Sequence, residues 1–99
     1  MVFMAILSFA DKATEMFWVV GTVGKGIGWA ECERVALRKL TMVDNAVNLA
    51  DLASPPNNRL EALTRELIGY HSIRVNDKWR VVFKWTDKGP TEVRIADYH

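Results

Sequence analysis

The sequence predicts an α+β fold, helical in its first half and built of antiparallel strands in its second, on three observations. Apolar residues recur at helical spacing up to Ser54-Pro55-Pro56-Asn57-Asn58, and beyond that run they alternate with period two. Hydrophobic residues make up 49% of the chain and charged residues 25%, which supports a packed core and excludes a disordered or collagen-like chain. A length of 99 residues suits one domain, 1–99, and is too short for two.

Residues 2–7 form an apolar run bounded by Ser8 and predict a short buried strand; a basic start and a small-residue cleavage site, the marks of a secretory signal, are missing. Phe9, Ala13, Met16, Phe17 and Val20 then share one face of a first helix. Ser8 or Asp11 can cap it by accepting backbone N–H bonds, and Gly21 can end it. The glycines at 21, 24, 26 and 28 predict a mobile link. From about Trp29, a second helix places Ala36, Leu40, Val43 and Val47 on one face, with Glu31, Glu33, Arg34, Arg38 and Lys39 in the remaining positions. Residues 48–52 can add one further turn before the proline pair, because the residue ahead of a proline is pushed out of the helical region.

Residues 59–63 predict a short strand, followed by a connection over 64–69. Residues 70–75 and 79–85 alternate as two strands around an Asn76-Asp77-Lys78 loop, and Asp87-Lys88-Gly89-Pro90 turns the chain into a last strand over 91–98. Sending Ile73, Val75, Val81, Phe83, Val93 and Ile95 against the helices sends Tyr70, Ser72, Arg74, Arg80, Lys84, Arg94 and Tyr98 to the other face. Arg59 and Glu61 join them if Leu60 and Ala62 point to the core. With 13 Lys+Arg against 12 Asp+Glu, the whole chain has no bias toward polyanions. The sorting nevertheless gathers cations and tyrosines on one sheet face, able to meet a phosphate backbone and stacked bases, and predicts an RNA-binding face.

One cysteine, Cys32, excludes an internal disulfide, and with two histidines it leaves no cluster of zinc spacing. Cys32 reads as an inert helix residue and His71, on the core parity, as a half-buried structural histidine. No structural metal and a cytosolic location are expected. No stretch approaches the roughly 20 apolar residues that span a bilayer, so no membrane role is expected.

Ser8-Phe9-Ala10-Asp11-Lys12, Pro55-Pro56-Asn57-Asn58-Arg59-Leu60-Glu61-Ala62-Leu63, Ser72-Ile73-Arg74-Val75-Asn76-Asp77-Lys78-Trp79-Arg80 and the terminal Asp97-Tyr98-His99 form a specific set. Over residues 6–99 the sequence resembles the HigB-like branch of the RelE/ParE toxin superfamily, the plasmid maintenance killer protein family. The resemblance implies two or three helices packed on a twisted antiparallel sheet. It implies a type II toxin that cleaves mRNA in the ribosomal decoding site, with no metal or organic cofactor. A helix-turn-helix (HigA-like) antitoxin would neutralise it in a toxin–antitoxin hetero-oligomer, with operator DNA reached only through the antitoxin.

Metal-free RNA cleavage must deprotonate the 2′-hydroxyl, neutralise the phosphate as charge builds and protonate the leaving 5′-oxygen. Arg80 matches the arginine of the family's Trp-Arg motif, and its permanently charged fork suits the phosphate. His99 and Tyr98 match the terminal motif taken to act in proton transfer and base stacking; a frayed last residue and an amphipathic sheet tyrosine are the ordinary alternatives. Asp97 either orients His99 or pairs with an arginine. Glu61 stands where some relatives place a histidine, as a base or as an ion-pair partner of Arg59 or Arg80. Arg59, Arg74, Lys84 and Arg94 are candidates for RNA phosphates through their clustering.

Two stretches depart from the family pattern. Thr64-Arg65-Glu66-Leu67-Ile68-Gly69 replaces a Lys-Gly-Asp-Arg type loop, and over 16–28 Lys25 alone remains of several basic residues. Trp18, Val19, Val20 and Val23 add apolar surface or core there. These departures keep open an attenuated relative retained as an antitoxin-binding and transcription-regulating partner. A gyrase inhibitor of the ParE arm, which shares the fold without needing the terminal histidine, is the other alternative.

Overall fold

Two helices cover one face of a four-stranded antiparallel sheet in the computed structural model, which describes residues 5–97. Asp11 starts α1 (Lys12–Val20) by accepting the Thr14 N–H at 2.8 Å, and Gly21 ends it in the left-handed conformation at φ 90°. Ser8 is therefore not the cap. Its hydroxyl instead meets Thr91 Oγ1 and accepts the Glu92 N–H, tying the entering chain to the last strand.

The link over 21–28 leads into a 3-10 turn, Gly28–Cys32, which seats Trp29 against Phe17 with ring centroids 5.0 Å apart. In α2 (Glu33–Asn45), Ala36, Leu40 and Val43 are fully buried, as the spacing predicts. Lys39, expected on the polar side, is buried with them. Positions 36, 39, 40 and 43 lie on one helical arc, and the ammonium finds a buried acceptor in Asn58. Val47 lies beyond the helix and is exposed, as are Met16 and Val20 of α1. Thr14 is buried in their place, its hydroxyl accepting the Ile95 N–H at 3.1 Å and pinning α1 to the sheet.

The further turn forms as a 3-10 turn, Leu49–Ala53, with Asn48 and Asp51 capping each other's backbone. A second 3-10 turn, Pro56–Asn58, ends at Arg59 in the left-handed conformation, which shortens the expected strand to β1 (Glu61–Ala62). Leu60 packs against the core, whereas Ala62 is exposed because β1 is a sheet edge.

Strands β2 (Tyr70–Arg74), β3 (Arg80–Thr86) and β4 (Gly89–Ala96) complete the order β1-β2-β3-β4. Their inward residues Ile73, Val81, Phe83, Val93 and Ile95, with Val75 just beyond β2, are buried against α2 in one cluster. A register shift between Val82 and Lys84 bends β4, with Glu92 at φ 54°. The strand expected over 2–7 falls partly on residues 2–4, outside those described; residues 5–7 are irregular. Phe9 makes a parallel bridge to Val93, so the entering chain covers the β4 edge. Among the described residues, no helix is long and apolar enough to cross a membrane.

Candidate active site

The outward face of the sheet carries Glu61 on β1, Tyr70, Ser72 and Arg74 on β2, Arg80, Val82 and Lys84 on β3, and Arg94 on β4. The register sets Glu61 opposite Ser72, Ser72 opposite Val82 and Val82 opposite Arg94. Ser72 and Val82 are completely buried at the middle of this face, so the charged residues form a rim around a closed centre.

Arg74 and Arg80 lie directly opposite one another, a like-charge pairing that destabilises a sheet unless each finds another partner. Each does. Arg74 turns to the hairpin and bonds Asp77 at 2.6 Å. This bond, and then the arginine's charge, hold the Asp77 carboxyl below its ordinary range. Arg80 turns toward β1. Its Nε donates to Ser72 Oγ at 2.7 Å, and its Nη2 donates to the Arg59 carbonyl at 2.6 Å. Glu61 Oε1 stands 3.8 Å from Nε. The Arg80 side chain is only 11% exposed, against 50% for Glu61. A guanidinium held through Nε and Nη2 has a fixed position and orientation on the face, which is what stabilising a developing phosphate charge requires.

The other candidates are less constrained. Lys84 and Arg59 are exposed, Arg94 is half-buried, and among the described residues none of the three forms an ion pair. Tyr70 is half-buried opposite Lys84. Tyr98 and His99 lie outside the described residues. His71 is half-buried on the core side, stacked on Phe83 with centroids 6.4 Å apart. The connection after β1 forms a 3-10 turn, Arg65–Leu67, beside a recess of about 320 Å³ lined by Glu61, Thr64 and Glu66 among others. Among the described residues no cluster of three His, Cys, Asp or Glu could hold a metal ion.

Sequence reasoning missed Asn58 and the role of Ser72. Asn58 is fully buried and cross-links α2 to the turns before β1. The helical arc through Lys39 was the available signal for its partner.

Over 97% of both chains, the fold is similar to that of the YoeB–YefM complex from Staphylococcus aureus, with a TM-score of 0.60 and 19% identity. The YoeB dimer of the same organism gives a TM-score of 0.55 over the same share. The family model described as RelE-like toxin of type II toxin-antitoxin system HigB matches residues 7–99. Toxin HigB-1 of Vibrio cholerae is 40% identical over 81 residues, covering 82% of this chain and 84% of that one. The chain belongs to the HigB-like family of type II toxins.

Proposed function

We propose that this protein is a ribosome-dependent mRNA endoribonuclease that inhibits translation by metal-independent cleavage. Arg80 carries the reading: a cation locked by Ser72 and Arg59 on the outward face, with a carboxylate 3.8 Å away. The 2′-oxygen attacks the adjacent phosphorus, the P–O5′ bond breaks, and the products are a 2′,3′-cyclic phosphate and a 5′-hydroxyl. Arg80 stabilises the charge that grows on the non-bridging oxygens. Glu61 or His99 takes the 2′-proton, His99 returns one to the leaving oxygen, and Tyr98 stacks on a base. Arg59, Lys84 and Arg94 attract flanking phosphates in proportion to salt-dependent charge. Arg74 adds less, its charge being matched by Asp77.

The toxin would act in the cytoplasm, where its ribosomal target lies, and a helix-turn-helix antitoxin would hold it inactive. The YoeB–YefM complex, formed on the same fold, supports an antitoxin partner. The exposed Met16, Val19 and Val20 on α1 favour a second reading, an attenuated relative kept to bind its antitoxin. Induced expression separates the two. Growth arrest with new 5′ ends in translated messages, absent for Arg80→Ala, is the expected result; unchanged growth and intact mRNA with a bound antitoxin would replace it by the second reading.

A further inference from the structure

Two unfavourable features converge on the turn whose last residue, Arg59, holds Arg80. Lys39 is 3% exposed, and among the described residues its ammonium has no carboxylate within ion-pair distance; it donates to the Oδ1 of Asn58. A buried cation facing only an amide is costly. Burial lowers the Lys39 pKa, as do the nearby charges of Arg38 and Arg74. One residue beyond Asn58, Arg59 holds φ 46° and ψ 54°, a left-handed conformation that a side chain disfavours.

Asn58 connects these features to the site. Completely buried, it uses both ends of its amide: Nδ2 donates to the carbonyls of Leu52 at 3.2 Å and Ser54 at 3.3 Å, while Oδ1 accepts a hydrogen bond from the Lys39 ammonium. Its own N–H bonds Pro55 O at 2.9 Å, and the Arg59 N–H bonds Pro56 O at 3.0 Å. The turn is therefore fixed on both sides of its last residue. The Arg59 carbonyl leaves that turn toward the sheet and accepts Arg80 Nη2 at 2.6 Å.

We propose that Asn58, anchored by Lys39, is a positioning residue that sets the Arg59 carbonyl and through it the orientation of the Arg80 guanidinium. Backbone strain of the Arg59 kind persists where surrounding structure enforces it, and such strain gathers at functional sites. The proposal rests on the reading of Arg80 as the phosphate-stabilising group. Asn58 itself touches no reacting atom.

The test compares wild type with Asn58→Ala, Asn58→Asp and Lys39→Met in two measurements. The first is solvent exchange of the Arg80 Nη–H protons, the ones held by the Arg59 carbonyl, by low-temperature NMR, beside the exchange of the β2 and β3 amides. The second is cleavage of mRNA on purified translating ribosomes, resolved into kcat and KM. Asn58→Asp keeps a partner for Lys39 and loses the donors to Leu52 and Ser54, so it reports on positioning if the alanine variant does not fold. Expected are Arg80 Nη–H exchange at least about tenfold faster, sheet amides unchanged, and kcat down roughly 10- to 100-fold at constant KM, the scale for a reacting group displaced by about an ångström. Wild-type Arg80 exchange and kcat in folded Asn58 variants would overturn the proposal. So would loosening spread evenly over the sheet amides, which marks a staple of the fold and nothing more. If wild type itself leaves mRNA intact, the functional reading falls, while Arg80 exchange still decides the positioning.

Discussion

Arg80 and Lys84 stand on the same strand and the same face, four residues apart, yet they are held in opposite ways. Arg80 is 11% exposed, with Nε and Nη2 committed to Ser72 and Arg59. Lys84 projects into solvent opposite Tyr70 and forms no ion pair among the described residues. A sequence pattern scores the two alike, since both are cations at alternate positions of one strand. The structure separates a preorganised charge, suited to one place in a transition state, from a mobile charge that raises the local attraction for any polyanion.

Breaking the opposite side of the same strand gives the largest expected effect. Phe83→Ala removes a fully buried ring from the core cluster and should cost about 3–5 kcal/mol in denaturant unfolding. Arg80→Ala takes the donor from the buried Ser72 hydroxyl and the Arg59 carbonyl, so it should cost about 1–3 kcal/mol in unfolding while still folding, and reduce the rate of ribosomal mRNA cleavage by about 10²–10³. Arg80→Lys should fare little better, because an ammonium cannot bond Ser72 and the Arg59 carbonyl in one plane. Gly28→Ala comes next. Its added Cβ would lie 2.6 Å from the Trp79 ring, one residue before Arg80, and overpacking of that kind lowers unfolding stability by about 1–3 kcal/mol.

Lys84→Ala sharpens the comparison from the other end. It should weaken binding to RNA evenly across sequences and reduce the slope of log affinity against log salt by about one, leaving the bond-breaking rate intact. The smallest effect belongs to Asp77→Asn, at an exposed hairpin. Hydrogen bonding from Arg74 and its charge depress the Asp77 carboxyl, so the bond adds stability above the ordinary carboxylate range and loses it as pH falls through the depressed value. The difference in thermal midpoint between wild type and Asp77→Asn should thus be present at neutral pH and close in strong acid.

The elements with long periodic patterns were legible from sequence: α2, the β2–β3 hairpin and the inward residues from Ile73 to Ile95. So was the outward face, because alternation leaves a strand residue no third choice. Lys39 was misplaced by charge, although its spacing from Ala36 and Val43 put it on the buried arc. Burying it needed Asn58, a partner 19 positions away that no periodicity reveals. Ser72 and Val82 were correctly faced yet turned out buried, since parity gives direction and not depth. The strand over 59–63 shrank to two residues because the turn at Pro56–Asn58 ends in a left-handed Arg59. That same turn supplies the carbonyl that holds Arg80.

The most direct test of the account is cleavage of a defined mRNA by purified protein on programmed ribosomes, comparing wild type, Arg80→Ala and Lys84→Ala by mapped 5′ ends. The account predicts discrete cuts by wild type and Lys84→Ala and none by a folded Arg80→Ala. Equal cutting by Arg80→Ala, or equal loss in both variants, would show that the fixed guanidinium has no special role and that the face acts through its charge alone.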